Sequence, residues 1–218
     1  MNLLRPQNHK AAMTLTEVVV VIAVVLILAG LLLPVLTRAK RKAPDIYCVV
    51  NLKQIALAGR IWGTEHNDTY PMGISVTNGG SMEMVTTGDV VQTFQVMSNE
   101  LQVPKILICP EDTQHHWADS YGALAKSNIS YFIGVEVTND ANPQMILSGD
   151  ANLEISGTPV KSGLVTLGTN DGVAWPAERH HYFGNLGLAD GSVQMTTIST
   201  LNQLFQQTGV PTNRLAIP

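Results

Sequence analysis

Charge is scarce in this chain: only 14% of its 218 residues are Asp, Glu, Lys or Arg, and the formal net charge is −4. Without a basic excess there is no electrostatic footprint for a polyanion, and no nucleic-acid partner is expected. Cysteine is scarcer still, with Cys48 and Cys109 alone. Two residues make no disulfide framework, and no CxxC or Cys/His spacing signals a zinc site. Two readings of the pair stay open. In an oxidising compartment they can bond, closing a loop worth about 4 kcal/mol in the chain-entropy model; otherwise they are two buried, apolar-like thiols. Also missing are GxSxG, HExxH and Walker patterns, so no catalytic constellation emerges and no enzyme is expected. No cofactor is expected, and no internal repeat is evident.

One long apolar run stands out against this background. From residue 18 to residue 36 every position is apolar, Gly or Pro: VVVVIAVVLILAGLLLPVL. As a helix the run is about 28 Å long, close to the hydrocarbon thickness of a bilayer. A helix of a soluble core is rarely apolar all round for so long, so a membrane helix is expected, with Pro34 near its far end. Three kinds of segment share this look. A cleaved signal peptide is one, with Thr37-Arg38-Ala39 as a small-residue cut, although such apolar regions run to about 7–15 residues. A plain signal anchor is the second, and a processed pilin-type leader is the third.

The residues before the run separate them: Lys10-Ala11-Ala12-Met13-Thr14-Leu15-Thr16-Glu17. A carboxylate set against the apolar block costs roughly 2–3 kcal/mol if drawn to membrane depth, and a simple anchor has no use for it. The arrangement resembles the prepilin processing site of type IV pilin-like proteins: a small residue before the cut, a hydrophobic first residue of the mature chain, and Glu in fifth place. The resemblance implies cleavage between Ala12 and Met13 by a prepilin peptidase, with Met13 as the methylated N-terminus. It also implies an assembly role for Glu17, neutralised by the N-terminus of a neighbouring subunit, and for the helix proline, Pro34. Ala12 and Met13 depart from the commoner Gly and Phe. Arg38, Lys40, Arg41 and Lys42 outnumber Arg5 and Lys10 of the leader. The positive-inside bias alone would therefore put the far side in the cytoplasm; the processing site implies the opposite, a cytoplasmic N-terminus.

A second resemblance covers most of the remainder. CVVNLKQIALAGRIWGTEHNDTYP, ILICPED, ISYFIGVE and MILSGDANL look like landmarks of a bacterial pilin-like group. Its members also carry a His-X9-Asp-Gly motif, present here as His180, Asp190 and Gly191. The resemblance implies an α+β pilin-like fold, a long N-terminal helix packed on a small antiparallel sheet. The expected organisation is a leader at 1–12, a membrane or filament-core helix at 13–36, and an extracytoplasmic domain at 37–218 with a helix at 44–66 and sheet at 70–218. It further implies a type II secretion pseudopilin in the bacterial inner membrane. Expected partners are the lipid bilayer, the peptidase, the assembly platform, and copies of itself and other pseudopilins. A type IV pilus subunit is the nearest alternative; a membrane-anchored binding module that never polymerises is the rival of another class.

Periodicity within the domain adds detail. Cys48, Leu52, Ile55, Gly59 and Trp62 form one helix face. Ile46, Val50, Leu57 and Ile61 form a second stripe, expected to pack in the core, with a face toward another subunit as the alternative. Asp89 is placed to cap a helix that turns Val90, Val91, Phe94, Met97 and Leu101 inward. Strands are expected at 105–109, 129–137 and 144–148. Asp190-Gly191 suits a two-residue hairpin turn that sets Leu188 opposite Val193 and Leu186 opposite Met195. A short helix is expected over 200–207. A metal site of His180, Asp190 or Asp150 would join residues too far apart in sequence for a geometry to be inferred; solvent-facing or hydrogen-bonded loop histidines are expected instead, and no metal. Glu136, Asp140 and Asp150 form no close acidic cluster of the kind calcium needs.

Overall fold

The chain is described by a computed structural model over residues 14–168 and 170–218, with side chains described outside residues 34–45. It divides into two compact units, Met1–Ala43 and Pro44–Pro218. Helix α1 (Leu15–Thr64) begins on a capping box. Thr14 N donates to Glu17 Oε2 at 2.7 Å, and Glu17 N returns a bond to Thr14 Oγ1 at 3.4 Å. In the first unit, Leu15–Leu33 is long and apolar enough to cross a membrane, and none of these 19 residues is buried within the protein.

In the second unit the same helix becomes one-sided. Cys48, Leu52, Ile55 and Trp62 are buried in the domain core. The second stripe, however, is not core: Ile46, Val50, Leu57 and Ile61 are all exposed, from 42% to 59%. An apolar face without a core to enter leaves a surface free for another body. The helix stops at Thr64, short of residue 66, because Asn67 and Asp68 both take φ of +55°, which Asn and Asp tolerate better than most residues.

Short helices follow: α2 (Met82–Val85), α3 (Val91–Val96) and α4 (Ser98–Leu101). The N-cap of α3 is Val90 rather than Asp89; Asp89 stands one residue before it, and its Oδ1 accepts from Val91 N at 2.9 Å. The expected single helix breaks at Met97, whose φ/ψ of −91°/14° leave the helical region. The strands are β1 (Tyr131–Gly134), β2 (Ile146–Asp150), β3 (Glu154–Ile155), β4 (Thr158–Pro159), β5 (Gly163–Gly168), β6 (Val173–Ala174), β7 (Gly184–Leu188), β8 (Val193–Thr196) and β9 (Thr212–Ile217). Between β8 and β9 lies α5 (Ile198–Gln207). A six-stranded antiparallel sheet runs β5-β9-β1-β2-β7-β8, with a small sheet β4-β3-β6 beside it.

The large sheet is covered on both faces. Tyr131, Ile133, Leu147 and Ala216 join Leu52, Ile55 and Phe94 in one core. Phe132, Ile146, Leu186, Leu188, Leu215 and Ile217 join Leu201, Phe205 and Trp175 in the other. Neighbouring strand residues point to opposite faces, so β1, β2 and β7 are buried at every position. The fold is therefore α+β, with an antiparallel sheet between α1 and α5.

Two further sequence expectations change. Residues 105–109 are not a strand: Pro104 opens a 3-10 turn (Pro104–Leu107), held by local bonds such as Ile108 N to Lys105 O at 3.3 Å. The last hairpin slips by one residue. Gly191 at φ +84° closes a three-residue loop, 189–191, with Gly191 N bonded to Leu188 O at 3.0 Å. Val193 then faces Gly187 and Met195 faces Asn185. One residue of slip exchanges the faces, which leaves Met195 56% exposed while Leu186 and Leu188 are fully buried.

Candidate functional site

Residues 179–182 take a backbone path that ordinary side chains avoid. Arg179, His180, His181 and Tyr182 all have positive φ, at 56°, 46°, 49° and 68°. Each such residue costs on the order of 1–3 kcal/mol and persists only where its surroundings over-determine it. Gly184 follows, where a Cβ would stand 2.4 Å from the buried Trp175 ring. Only glycine lets the chain leave this turn against that ring.

The turn carries His180 inward. Its ring is buried, with Nε2 3.2 Å from Cys109 Sγ and 3.7 Å from Asp150 Oδ2. Cys109 is bonded to Cys48 of α1, their Cα atoms 5.2 Å apart. The fully buried Asp150 ends β2, and its Oδ2 accepts from Asn185 N at 2.8 Å and Asn185 Nδ2 at 2.9 Å. Its other oxygen, Oδ1, accepts no hydrogen bond from the described residues. Burial pushes the Asp150 carboxyl above the usual range, against the pull of His180 and Asn185. Cys48, Cys109, Asp150 and His180 each bring one potential ligand atom, all within 4.8 Å of one another.

A second buried carboxylate pairs with the first residue of the turn. Asp112 accepts from Ser130 Oγ at 2.7 Å and contacts His115 Nδ1 at 2.8 Å, and it is ion-paired to Arg179. Burial alone would raise its carboxyl; Ser130, Arg179, the Gln114 N–H and His115 together bring it below the usual value. Asp112, His115 and Arg179 line an open cleft of about 600 Å³, together with Glu111, Glu154 and Glu178.

The motif residues separate. Asp190 and Gly191 belong to the hairpin loop: Asp190 Oδ1 accepts from Ser192 N at 2.8 Å, and its carbonyl accepts from Arg60 Nη1 at 2.8 Å. The Ser192 bonds draw the Asp190 carboxyl down. His180 instead packs on Cys109 and Asp150. The three residues considered for calcium also take separate partners: Glu136 pairs with Arg214, Asp140 lies 3.7 Å from Arg60 Nη2, and Asp150 is in the buried cluster.

Glu17 has a local role in the first turn of α1, and its Oε2 also accepts from Thr14 Oγ1 at 2.9 Å. Even a plain anchor therefore has a use for this carboxylate, contrary to the sequence argument. Pro34 lies within α1, among residues whose side chains are not described. Ala12 and Met13 lie outside the described residues. Asp112 and Arg179 escaped sequence reasoning; the one available signal was an Asp three residues after Cys109 and an Arg directly before His180.

No protein-family model matches the chain, and neither a curated protein nor a solved structure matches it.

Proposed function

We propose that the chain is a type IV pilin-like filament subunit, in the first place of a type II secretion pseudopilus. The observation that carries the reading is the start of α1. Leu15–Leu33 is apolar on every side and exposed throughout, and its single charge, Glu17, sits in the first turn. A prepilin peptidase would cut between Ala12 and Met13, and the methylated chain would wait in the inner membrane with its N-terminus cytoplasmic. An assembly platform would then add it to a filament with copies of itself and other pseudopilins. In a packed filament core Glu17 would exchange its local Thr14 bonds for the positive N-terminus of a neighbour, since a carboxylate there needs a partner. The exposed stripe of Ile46, Val50, Leu57 and Ile61 supports the same reading, because it leaves apolar surface on α1 beyond the membrane segment. A pilus subunit, major or minor, would use the same parts. The role is structural rather than enzymatic.

One feature favours a second reading, an anchored binding module that does not polymerise: the cleft of about 600 Å³ with Glu111, Glu154, Glu178 and Arg179 on its walls. Two measurements divide the readings. The intact mass and N-terminal peptide of protein from its native membranes should give a chain starting at methylated Met13. An uncleaved Met1, or a cut after Ala39, overturns the filament reading. Glu17→Ala should abolish assembly in a filament subunit and leave ligand retention unchanged in a binding module.

A further inference from the structure

Cys48, Cys109, Asp150 and His180 come from four separate elements: α1, the segment after the 3-10 turn at Pro104–Leu107, the end of β2, and the positive-φ turn. All four are buried, so their convergence is not a surface accident. A disulfide explains the two sulfurs alone. It does not explain why a strained turn drives a histidine onto one of them, nor why a fully buried carboxylate beside that ring keeps Oδ1 without a hydrogen bond from the described residues.

We propose that reduction of the Cys48–Cys109 bond converts this cluster into a buried Zn²⁺ site with Cys48, Cys109, His180 and Asp150 as its four ligands. Two thiolates, an imidazole and a carboxylate form a closed tetrahedral set of the structural kind. Zinc–ligand bonds of about 2.0–2.3 Å place neighbouring ligand atoms roughly 3.3–3.8 Å apart. His180 Nε2 already lies 3.2 Å from Cys109 Sγ and 3.7 Å from Asp150 Oδ2. Breaking the sulfur–sulfur bond frees the two sulfurs to separate to the thiolate spacing. Asn185 supplies the outer support: its backbone and side-chain N–H groups donate to Asp150 Oδ2, the oxygen that faces His180, and so fix the orientation of the carboxylate. The soft sulfur ligands favour zinc over calcium or magnesium.

The chemistry balances. An external dithiol gives two electrons and two protons to the disulfide and leaves as a disulfide itself. The two new thiols lose their protons as Zn²⁺ binds. Oxidation by a disulfide-carrying exchange partner reverses both steps and releases the ion. The domain thus has two cross-linked forms: a covalent one joining α1 to the segment of Cys109, and a metal one that also ties in β2 and the positive-φ turn.

The test uses the full chain in detergent micelles. The protein is reduced anaerobically with a phosphine, which leaves as its oxide, then desalted and titrated with Zn²⁺ or with Co²⁺ as a spectroscopic probe. The reduced chain should retain one metal ion through gel filtration and show thiolate-to-cobalt absorption, while the oxidised chain retains none. Asp150→Asn and His180→Gln, both with thiols intact, should each weaken metal affinity by roughly tenfold or more. Their near-ultraviolet dichroism in the oxidised form checks that they fold. Uptake by the two variants equal to that of the unsubstituted chain overturns the site, as does a folded reduced chain that binds nothing. If reduction melts the domain, Zn²⁺ must restore the dichroism; a chain that stays unfolded with zinc present also overturns it.

Discussion

The two ends of α1 follow opposite rules within one helix. Along Leu15–Leu33 apolar side chains cover every face and none is buried by the protein. From residue 46 to Thr64 the apolar residues split into a stripe held by the sheet and a stripe left outside. The first part is not buried by any of the described residues and depends on its surroundings, lipid or other helices, to remove that surface from water. The second carries its own partners on one side. Hydrophobicity alone therefore does not say where a residue lies; what stands opposite it does.

The two ends also treat charge differently, and this gives the sharpest way to break the comparison. In the domain a buried charge persists because it is paired. Asp112→Ala would leave Arg179 and His115 without their carboxylate, and unfolding should become easier by about 3–5 kcal/mol in a denaturant titration. The pH dependence follows from the lowered carboxyl. Its stabilisation is present above the ordinary value of about 3.9 and is lost as pH falls through the lower folded value. The variant should show a flatter acid limb; an unchanged limb would remove Asp112 from the account.

Next in size is the buried stripe. Leu52 is fully buried, and Leu52→Ala should cost about 2–5 kcal/mol, read as a lowered melting temperature of the domain. In the apolar unit the matching probe is a charge in mid-span. Leu26→Arg should cost about 2.5–3.5 kcal/mol of membrane insertion, with chain lost from the membrane pellet after alkaline extraction and the domain's melting temperature unchanged. A shift in that melt would mean the two units are not energetically separate. The smallest effect belongs to the outer stripe: Leu57→Ala, at a position 53% exposed, should stay within about 0.5 kcal/mol of the parent in the monomer. A large loss there would mean that this stripe packs in the domain after all.

Several elements were legible because their signal is local. The face through Cys48, Leu52, Ile55 and Trp62 has the 3.6-residue period that any helix imposes on a one-sided contact, and α5 shows Leu201, Leu204 and Phe205 in the same way. Other parts have no local signal. Strand β9 lies inside the large sheet between β5 and β1, yet neither β5 nor β9 was expected, since both owe their pairing to segments distant in sequence. The hairpin slip was not legible because Asp-Gly fits both a two-residue and a three-residue loop, and the register, with Val193 opposite Gly187 and Met195 opposite Asn185, is not written in the dipeptide.

The candidate site divides along the same line. By itself the sequence determined the apolar segment, its lone Glu17, the inner stripe of α1 and the places of Cys48, Cys109 and His180, because hydropathy, period and residue identity are properties of neighbours along the chain. Only the tertiary structure decided that the second stripe faces outward, that His180 parts from Asp190, and that it joins Cys48, Cys109 and Asp150. Those outcomes depend on how four distant segments close on one core. No short-range pattern encodes that closure, because the atoms involved become neighbours only after the sheet has formed.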